Sequence, residues 1–389
     1  MDKKIILCVD DEPIILNSLK QELSQYFSDS MIIEVAESGE EGLETIEFFR
    51  DKGKEVVVII SDYIMPQMRG DEFLIEAHRI LPNCMKILLT GQASLEGVTN
   101  AVNQTNLYRY ISKPWSTKDL LMTVESAIAN YEKDKTLKFQ NKQIQASIRY
   151  AERIQNAVLP SSGYLSKLFP NHFVFHSPKD VVSGDFYWCR NEGNKTIIAV
   201  ADCTGHGVPG AFMSLIGHQL LNRAVIDKKI YSPEKILENI NQAIRDVWNG
   251  ERARFHEGME MAICIIDKDE NKIFFAGARR PICIVQNNTK FNHVKGDRLG
   301  IDGKEGAVYT KHEFEIEPNT QIYLYSDGYQ DQFGGNEDRR FMSKNLRALI
   351  RKMSKDTMEE QLEQVETTFN DWKGSHIQID DVLVVGVKI

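Results

Sequence analysis

The stretch KIILCVDDEP (4–13) decides the first half of the fold. Five consecutive apolar residues, Ile5 to Val9, end in an acidic pair, and Pro13 then opens PIILNSLKQELSQYF (13–27), whose apolar residues recur at helical spacing. A short all-apolar run followed by an amphipathic helix is one βα unit of a sheet buried on both faces. The unit repeats. MIIEVA (31–36) precedes GEEGLETIEFFR (39–50), and VVVII (56–60) precedes EFLIEAHRIL (72–81). KILLT (86–90) precedes SLEGVTNAVNQ (94–104), and LYRYI (107–111) precedes TKDLLMTVESAIANY (117–131). Five such units predict a parallel α/β sheet. Asp10, Asp11, Asp62, Thr90 and Lys113 all fall at carboxyl ends of its strands, the edge where open α/β sheets bind ligands.

Three carboxylates brought together repel one another, and a hard divalent cation relieves that repulsion. A lysine and a hydroxyl beside the cation suit a phosphoryl group. Taken singly, Asp10 and Asp11 could cap a helix before Pro13, and Lys113-Pro114 could be a loop. Jointly, VDDE (9–12), DYIMP (62–66), TG (90–91) and KP (113–114) resemble the response-regulator receiver family over about residues 1–130. The resemblance implies a flavodoxin-like sheet of order 2-1-3-4-5. It also implies phosphorylation of Asp62 by a histidine kinase, and Mg²⁺ held by Asp11, Asp62 and the carbonyl of Ile64 with Asp10 assisting. Lys113 would contact the phosphoryl oxygens, and Thr90 and Tyr110 would form the switch pair.

Residues 131–160 differ in character, with six basic and three acidic residues and no glycine. Ile144, Ile148, Ala151, Ile154 or Gln155, and Val158 make one apolar stripe at spacings of three and four. The stripe fits either a helix packed on its own domain or a connector that pairs two copies into a homodimer.

From 161 to 389 strand-like and helix-like runs come in blocks, as in an α+β domain. Strands are expected at 172–176, 196–201, 260–266, 272–278, 282–286, 322–326 and 382–389, and helices at 209–226, 233–248, 342–354 and 357–370. Four acidic motifs stand apart: Asp185 in VVSGDFYW, Asp202 in IIAVADCTGHGVPGAF, Asp327 in IYLYSDGYQD, and Asp380-Asp381 in IQIDDVLVV. Aspartates at strand ends around one cleft suit an all-oxygen Mg²⁺ or Mn²⁺ site, and no His or Cys pair has zinc spacing. Gly205 and Gly207 permit the positive φ that folds the chain back beside Asp202. Individually the motifs are bland. YSDG is a good turn, GHGVPG (205–210) mimics a nucleotide loop but holds Pro209, and His206 reads as a loop residue.

Together they resemble the metal-dependent PPM phosphatases in their SpoIIE-like serine/threonine branch, from about Ile154 onward and including RIQNAVLPS. The resemblance implies a β-sandwich flanked by helices and two Mn²⁺ or Mg²⁺ ions. Asp202 would bridge them, the carbonyl of Cys203 and Asp185 would serve one ion, and Asp327 and Asp380 the other. Asp381 is the alternative to Asp380, and Leu383 stands where the family's DDxT has threonine. Arg279 and Arg280 occupy a place where the branch often has Asn or His, so they either bind phosphate or substrate or form a salt-bridged loop.

The implied protein is a two-component regulator whose receiver controls a phosphoserine/phosphothreonine phosphatase acting on a protein, in the family's circuitry a STAS-type anti-sigma factor antagonist. A catalytically weak scaffold acting by binding is the alternative. The net charge of −9 divides as −9 over residues 1–130, +3 over 131–160 and −3 over 161–389. No segment is basic enough for a nucleic-acid-binding domain. The apolar run at the N-terminus is too short for a signal peptide, and no run reaches membrane-span length, so a cytoplasmic protein is expected. None of the six cysteines forms a CxxC pair, which fits buried free thiols.

Overall fold

The structure is a computed structural model that describes residues 3–91, 107–160, 162–247, 257–287 and 289–389. It divides into two compact units, Met1–Gln143 and Ile144–Ile389.

In the first unit β1 (Lys4–Val9), β2 (Met31–Ala36), β3 (Val56–Asp62), β4 (Met85–Thr90) and β5 (Arg109–Ser112) pair in parallel in the order β2-β1-β3-β4-β5. β1 shows why its apolar run is unbroken. Ile6 and Cys8 join one core with Leu19, Leu23 and Val124, while Ile5, Leu7 and Val9 join the other with Phe73, Leu74 and Ala77. Alternate side chains point to opposite faces, and helices α1 (Pro13–Phe27), α2 (Gly39–Asp51) and α3 (Gly70–Ile80) help cover them. The strand order reverses between β1 and β3, which opens a crevice at their carboxyl ends. The helix expected at 94–104 lies outside the described residues.

Helix α4 (Thr117–Val158) is continuous through the segment read as a connector. Residues 131–159 contain neither glycine nor proline, so nothing interrupts the hydrogen-bond ladder. Leu120, Val124 and Ala127 are buried in the receiver core, and Gln155 is buried in the second unit. Leu137, Phe139, Ile144, Tyr150, Ile154 and Val158 are exposed large hydrophobics on this helix.

The second unit begins with α5 (Ser162–Leu168) and stacks two five-stranded sheets. One has the order β13-β10-β9-β8-β7, built from β7 (Phe186–Glu192), β8 (Lys195–Cys203), β9 (Met259–Asp267), β10 (Lys272–Ala278) and β13 (His312–Glu315). The other has the order β12-β11-β14-β17-β6, from β6 (His172–Ser177), β11 (Ile282–Gln286), β12 (Lys290–Val294), β14 (Gln321–Tyr325) and β17 (Val382–Lys388). Their facing residues, among them Ile198, Val200, Cys264, Ile284, Leu324 and Leu383, form the middle core. Helices α6 (Gly207–Asn222) and α7 (Pro233–Val247), joined through a π-helical turn at Arg223–Asp227, pack on the outer face of the first sheet. After the one-turn α8 (Gly328–Asp331) and the ribbon β15 (Phe333–Gly334) and β16 (Arg339–Arg340), helices α9 (Ser343–Met353) and α10 (Met358–Lys373) cover the second. This is the helix-flanked β-sandwich expected from the sequence. β7, β12 and β13 were not: their alternation carries charged and amide residues that blur the apolar signal.

Candidate functional sites

In the first unit the crevice gathers the predicted acids. Ligand oxygens of Asp10, Asp11 and Asp62 lie within 4.8 Å of one another. Asp10 does not cap α1: the N-cap is Glu12, whose backbone N–H donates to Asp10 Oδ1 at 2.9 Å. Lys113 Nζ reaches Asp10 Oδ2 and Asp62 Oδ1, each at 2.7 Å. Burial pushes the Asp62 carboxyl above its usual range despite Lys113. Burial opposes the Lys113 charge, but its bonds to Asp10 and Asp62 win and raise it. Three carboxylates against one ammonium leave the pocket short of positive charge, so its donor set fits a divalent cation. Thr90 is buried, while Tyr110 and Ile64 are exposed.

In the second unit Asp202 sits near the end of β8, and Asp327 follows β14. Asp185 precedes β7 and Asp380 precedes β17. Their mutual fields mark one cluster. Burial, then the charge of Asp202, drives the Asp185 carboxyl well up. Burial also raises Asp202, with Asp327 and Asp380 adding to the effect and Arg280 opposing it. Asp185 Oδ2 is buried and has no hydrogen-bond partner. A buried carboxylate oxygen without a hydrogen-bond partner, set among other carboxylates, is a donor open to a cation, so the donor set fits divalent metal. Asp380 and Asp381 have separate duties. Asp381 is buried and accepts from the backbone N–H groups of Lys179 and Gly184, both at 2.7 Å. Asp380 is half-buried, and burial followed by the Asp327 and Asp381 charges raises its carboxyl, against the lowering bond from the Asp381 N–H.

Glycine shapes the loops here. Gly205 and Gly207 hold φ of 87° and 64°, as the turn after Asp202 requires. A Cβ on Gly184 would lie 2.7 Å from the carbonyl oxygen of Gly205 and 3.3 Å from that of Cys203, so only glycine lets the loop before Asp185 meet the loop after Asp202. Leu383, in the place of the expected threonine, is fully buried between the sheets, and its N–H donates to Ser326 Oγ at 3.0 Å.

The arginine pair also divides. Arg279 is exposed, holds a left-handed backbone (φ 59°) and pairs with Glu260 at 3.0 Å. Arg280 is buried. Its guanidinium bonds Glu260 through Nε at 2.7 Å and Asp327 Oδ2 at 2.6 Å, and lies 3.5 Å from Asp202 Oδ2. Burial works against its charge, but Asp202, Asp327 and Glu260 hold it protonated. Glu260, on the inner strand β9, went unread in the sequence because it sits in no motif. Gln155 was half-read. It turns inward while Ile154 is exposed, and its amide donates to the Ser183 carbonyl at 2.6 Å and to Ser214 Oγ at 2.9 Å. It accepts from the Ser183 N–H at 3.2 Å, two residues before Asp185. His206 is held by Asp180 at 2.6 Å.

Comparison with known proteins bears on both units. Residues 6–125 match the response regulator receiver domain, and residues 192–389 match the family described as Stage II sporulation protein E (SpoIIE). The solved SiaA-PP2C domain of Pseudomonas aeruginosa superposes with a TM-score of 0.59 at 30% identity, covering 64% of this chain and 98% of that domain. Hydrogenase transcriptional regulatory protein HoxA of Bradyrhizobium diazoefficiens is 26% identical over 172 residues, 44% of this chain and 33% of HoxA. Phosphoserine phosphatase RsbU of Bacillus subtilis is 23% identical over 199 residues, 51% of this chain and 57% of RsbU. The chain therefore spans a third of HoxA's length and little more than half of RsbU's. No described helix is long and apolar enough to cross a membrane. With half of its residues inside the SpoIIE match and a PP2C domain laid almost end to end over its second unit, the chain belongs to the SpoIIE family of PPM-type phosphatases and carries a response regulator receiver domain.

Proposed function

We propose that the chain is a metal-dependent phosphoserine/phosphothreonine protein phosphatase governed by phosphorylation of Asp62. The observation that carries the catalytic half is Asp185 Oδ2, buried and unpartnered beside Asp202, Asp327 and Asp380. Asp185, Asp202, Asp327, Asp380 and the carbonyl of Cys203 are the groups that would hold two Mn²⁺ or Mg²⁺ ions. Bound there, such ions supply a water acidic enough to attack phosphorus and a counter-charge for the phosphoryl oxygens. The chain's own residues do the rest. Asp381 and Gly184 lock the loops that carry Asp185, and Arg280 holds Asp202 and Asp327 in place.

The receiver supports a histidine kinase as phosphoryl donor, with Mg²⁺ held by Asp10, Asp11, Asp62 and the Ile64 carbonyl. Lys113 is already aimed at Asp62 to meet the phosphoryl oxygens, and Thr90 and Tyr110 form the switch pair. The exposed Ile144, Ile154 and Val158 support pairing of two copies through α4. RsbU, a phosphoserine phosphatase by name, supports a phosphoprotein substrate, for which we propose a STAS-type anti-sigma factor antagonist.

Hydrolysis of para-nitrophenyl phosphate with Mn²⁺, with and without beryllofluoride, tests enzyme, metal and switch together. Turnover that needs Mn²⁺, disappears in Asp202→Asn and changes with beryllofluoride is expected. Equal rates with and without beryllofluoride refute the switch, and an active Asp202→Asn refutes the metal site. A second reading, a scaffold that only binds, draws support from Arg280, which already gives the carboxylates a counter-charge. Calorimetric titration with Mn²⁺ separates the two, since a scaffold of this kind takes up none in the second unit.

A further inference from the structure

Helix α9 carries its charge on one side and with one sign. Leu346, Ile350 and Met353 are buried under it. Lys344, Arg347 and Arg351 follow at spacings of three and four on another face, with Lys352 beside them and Lys355 just past the end. Like charges at such spacings destabilise a helix, so the stripe is held against its own repulsion. These five cations line a cavity of about 750 Å³ together with Thr289, Phe291 and Ala348. A second cavity of about 500 Å³ is lined by Arg279, Arg280, Lys295 and Arg298 among others. Arg347 lines both and joins them.

Outside Arg279 and Arg280, which pair with Glu260 and Asp327, this positive charge is uncompensated. Lys295, Arg298, Arg347 and Arg351 have no carboxylate within 4.0 Å among the described residues, and neither do Lys344, Lys352 and Lys355. Other cations of the unit have a neighbouring carboxylate, among them Lys235–Glu238, Lys290–Glu317 and Lys311–Glu313. Asp297, a carboxylate lining the smaller cavity, is already bonded to the Thr310 N–H and hydroxyl. His293, lining the same cavity, has a buried Nε2 without a partner. Burial and the neighbouring Arg347 and Lys295 hold its imidazole below the usual range. The smaller cavity is lined in part by Arg280, whose guanidinium touches Asp327. A chain segment lying along both cavities would therefore lead straight to the catalytic aspartates.

We infer that this basic groove docks an acidic segment of the phosphoprotein substrate and so selects phosphoserine sites flanked by Asp or Glu. The inference rests on the phosphatase reading above and deepens it, since focused charge of one sign beside a reaction centre selects substrates of the other sign.

Four phosphoserine peptides test it: six glutamates on the amino or on the carboxyl side of the phosphoserine, and the same two peptides with glutamines in their place. With Mn²⁺ at low salt, kcat/KM is expected to be about tenfold higher for a glutamate peptide, in KM rather than kcat. The preference should shrink toward parity at 0.5 M salt and be lost in the triple variant Lys344→Gln/Arg347→Gln/Arg351→Gln. Parity of glutamate and glutamine peptides at low salt in both placements overturns the groove. So does a preference that survives in the triple variant.

Binding of a fluorescent hexaglutamate peptide without phosphoserine, read by anisotropy, does not depend on turnover. It should be saturable and weakened at least fivefold in the triple variant. If it binds so while no phosphate is released from any substrate, the phosphatase reading fails and the groove stands. If a single-stranded oligonucleotide of equal charge binds more tightly than the peptide, the protein-segment assignment is overturned.

Discussion

Replacing Gln155 by leucine removes a side chain whose amide holds the loop next to Asp185. Gln155, Ser183 and Ser214 are all buried, so no water replaces the lost partners. Ser214 Oγ keeps its bond to the Ala211 carbonyl at 2.8 Å and loses only an incoming donor. The Ser183 N–H and C=O lose their Gln155 partners. At about 1–3 kcal/mol for each of these two buried groups left unsatisfied, and with leucine recovering about 1 kcal/mol of apolar burial, the net loss is about 1–5 kcal/mol. At about 2–4 °C per kcal/mol for a domain of this size, the melting temperature should fall by roughly 2–20 °C. Tryptophan fluorescence suits the measurement, because Trp188 and Trp372 lie in the second unit, with Trp188 in its core. Asp185 is two residues from Ser183, and its N–H donates to Ser183 Oγ at 3.0 Å, so a loosened loop should also raise the Mn²⁺ concentration for half-maximal activity about tenfold. A melting temperature within 1 °C of the unaltered chain would refute the claim that Gln155 pins this loop.

Gly184→Ala forces a Cβ against the Gly205 carbonyl. It should cost about 1–3 kcal/mol and lower phosphatase turnover more than tenfold, whereas wild-type activity would show that the two loops need no close approach. Lys86 is fully buried, bonded to the Cys84 carbonyl at 2.9 Å, and burial depresses its ammonium below the ordinary lysine value. The unfolded chain then holds a proton that the folded chain releases, so the Lys86 contribution to receiver stability rises with pH and falls as pH drops through the depressed value. Lys86→Met should lose that slope on the alkaline side, just below the ordinary lysine value, in urea unfolding, and parallel pH profiles for the two chains would contradict it. All six cysteines are buried and free. Burial pushes the thiols of Cys8, Cys84, Cys189 and Cys283 to about 12 and raises Cys203 and Cys264 as well. Ellman's reagent at pH 8 should therefore titrate no thiol in the native chain and six in guanidinium, and prompt native reaction of even one would count against the cores described above.

Periodicity and residue type were enough for the parallel sheet of the first unit, for the α+β class of the second and for the aspartates at strand ends, while the layered sandwich came only with the family resemblance. Those features are local: an apolar run must be buried, and the residue ending it emerges at the sheet edge. Gly205 and Gly207 were legible for the same reason, since positive φ is a property of the residue itself. The duties of Asp380 and Asp381 were not, because the bonds that occupy Asp381 come from Lys179 and Gly184, about two hundred residues away in sequence. Nor could the stripe on α4 choose between Ile154 and Gln155. Adjacent residues differ by 100° around a helix, and only the packed loop at Ser183 decides which one faces inward. Glu260 on β9 and Arg280 in the loop after β10 meet although no motif links them, and the chain's acidic total hides a groove in which the cations of α9 stand without counter-ions. The sequence by itself determined which elements form and which chemistry each can carry. Tertiary structure decided which charges are neutralised by a neighbour and which remain for a ligand, because pairing depends on distances that only the folded chain sets.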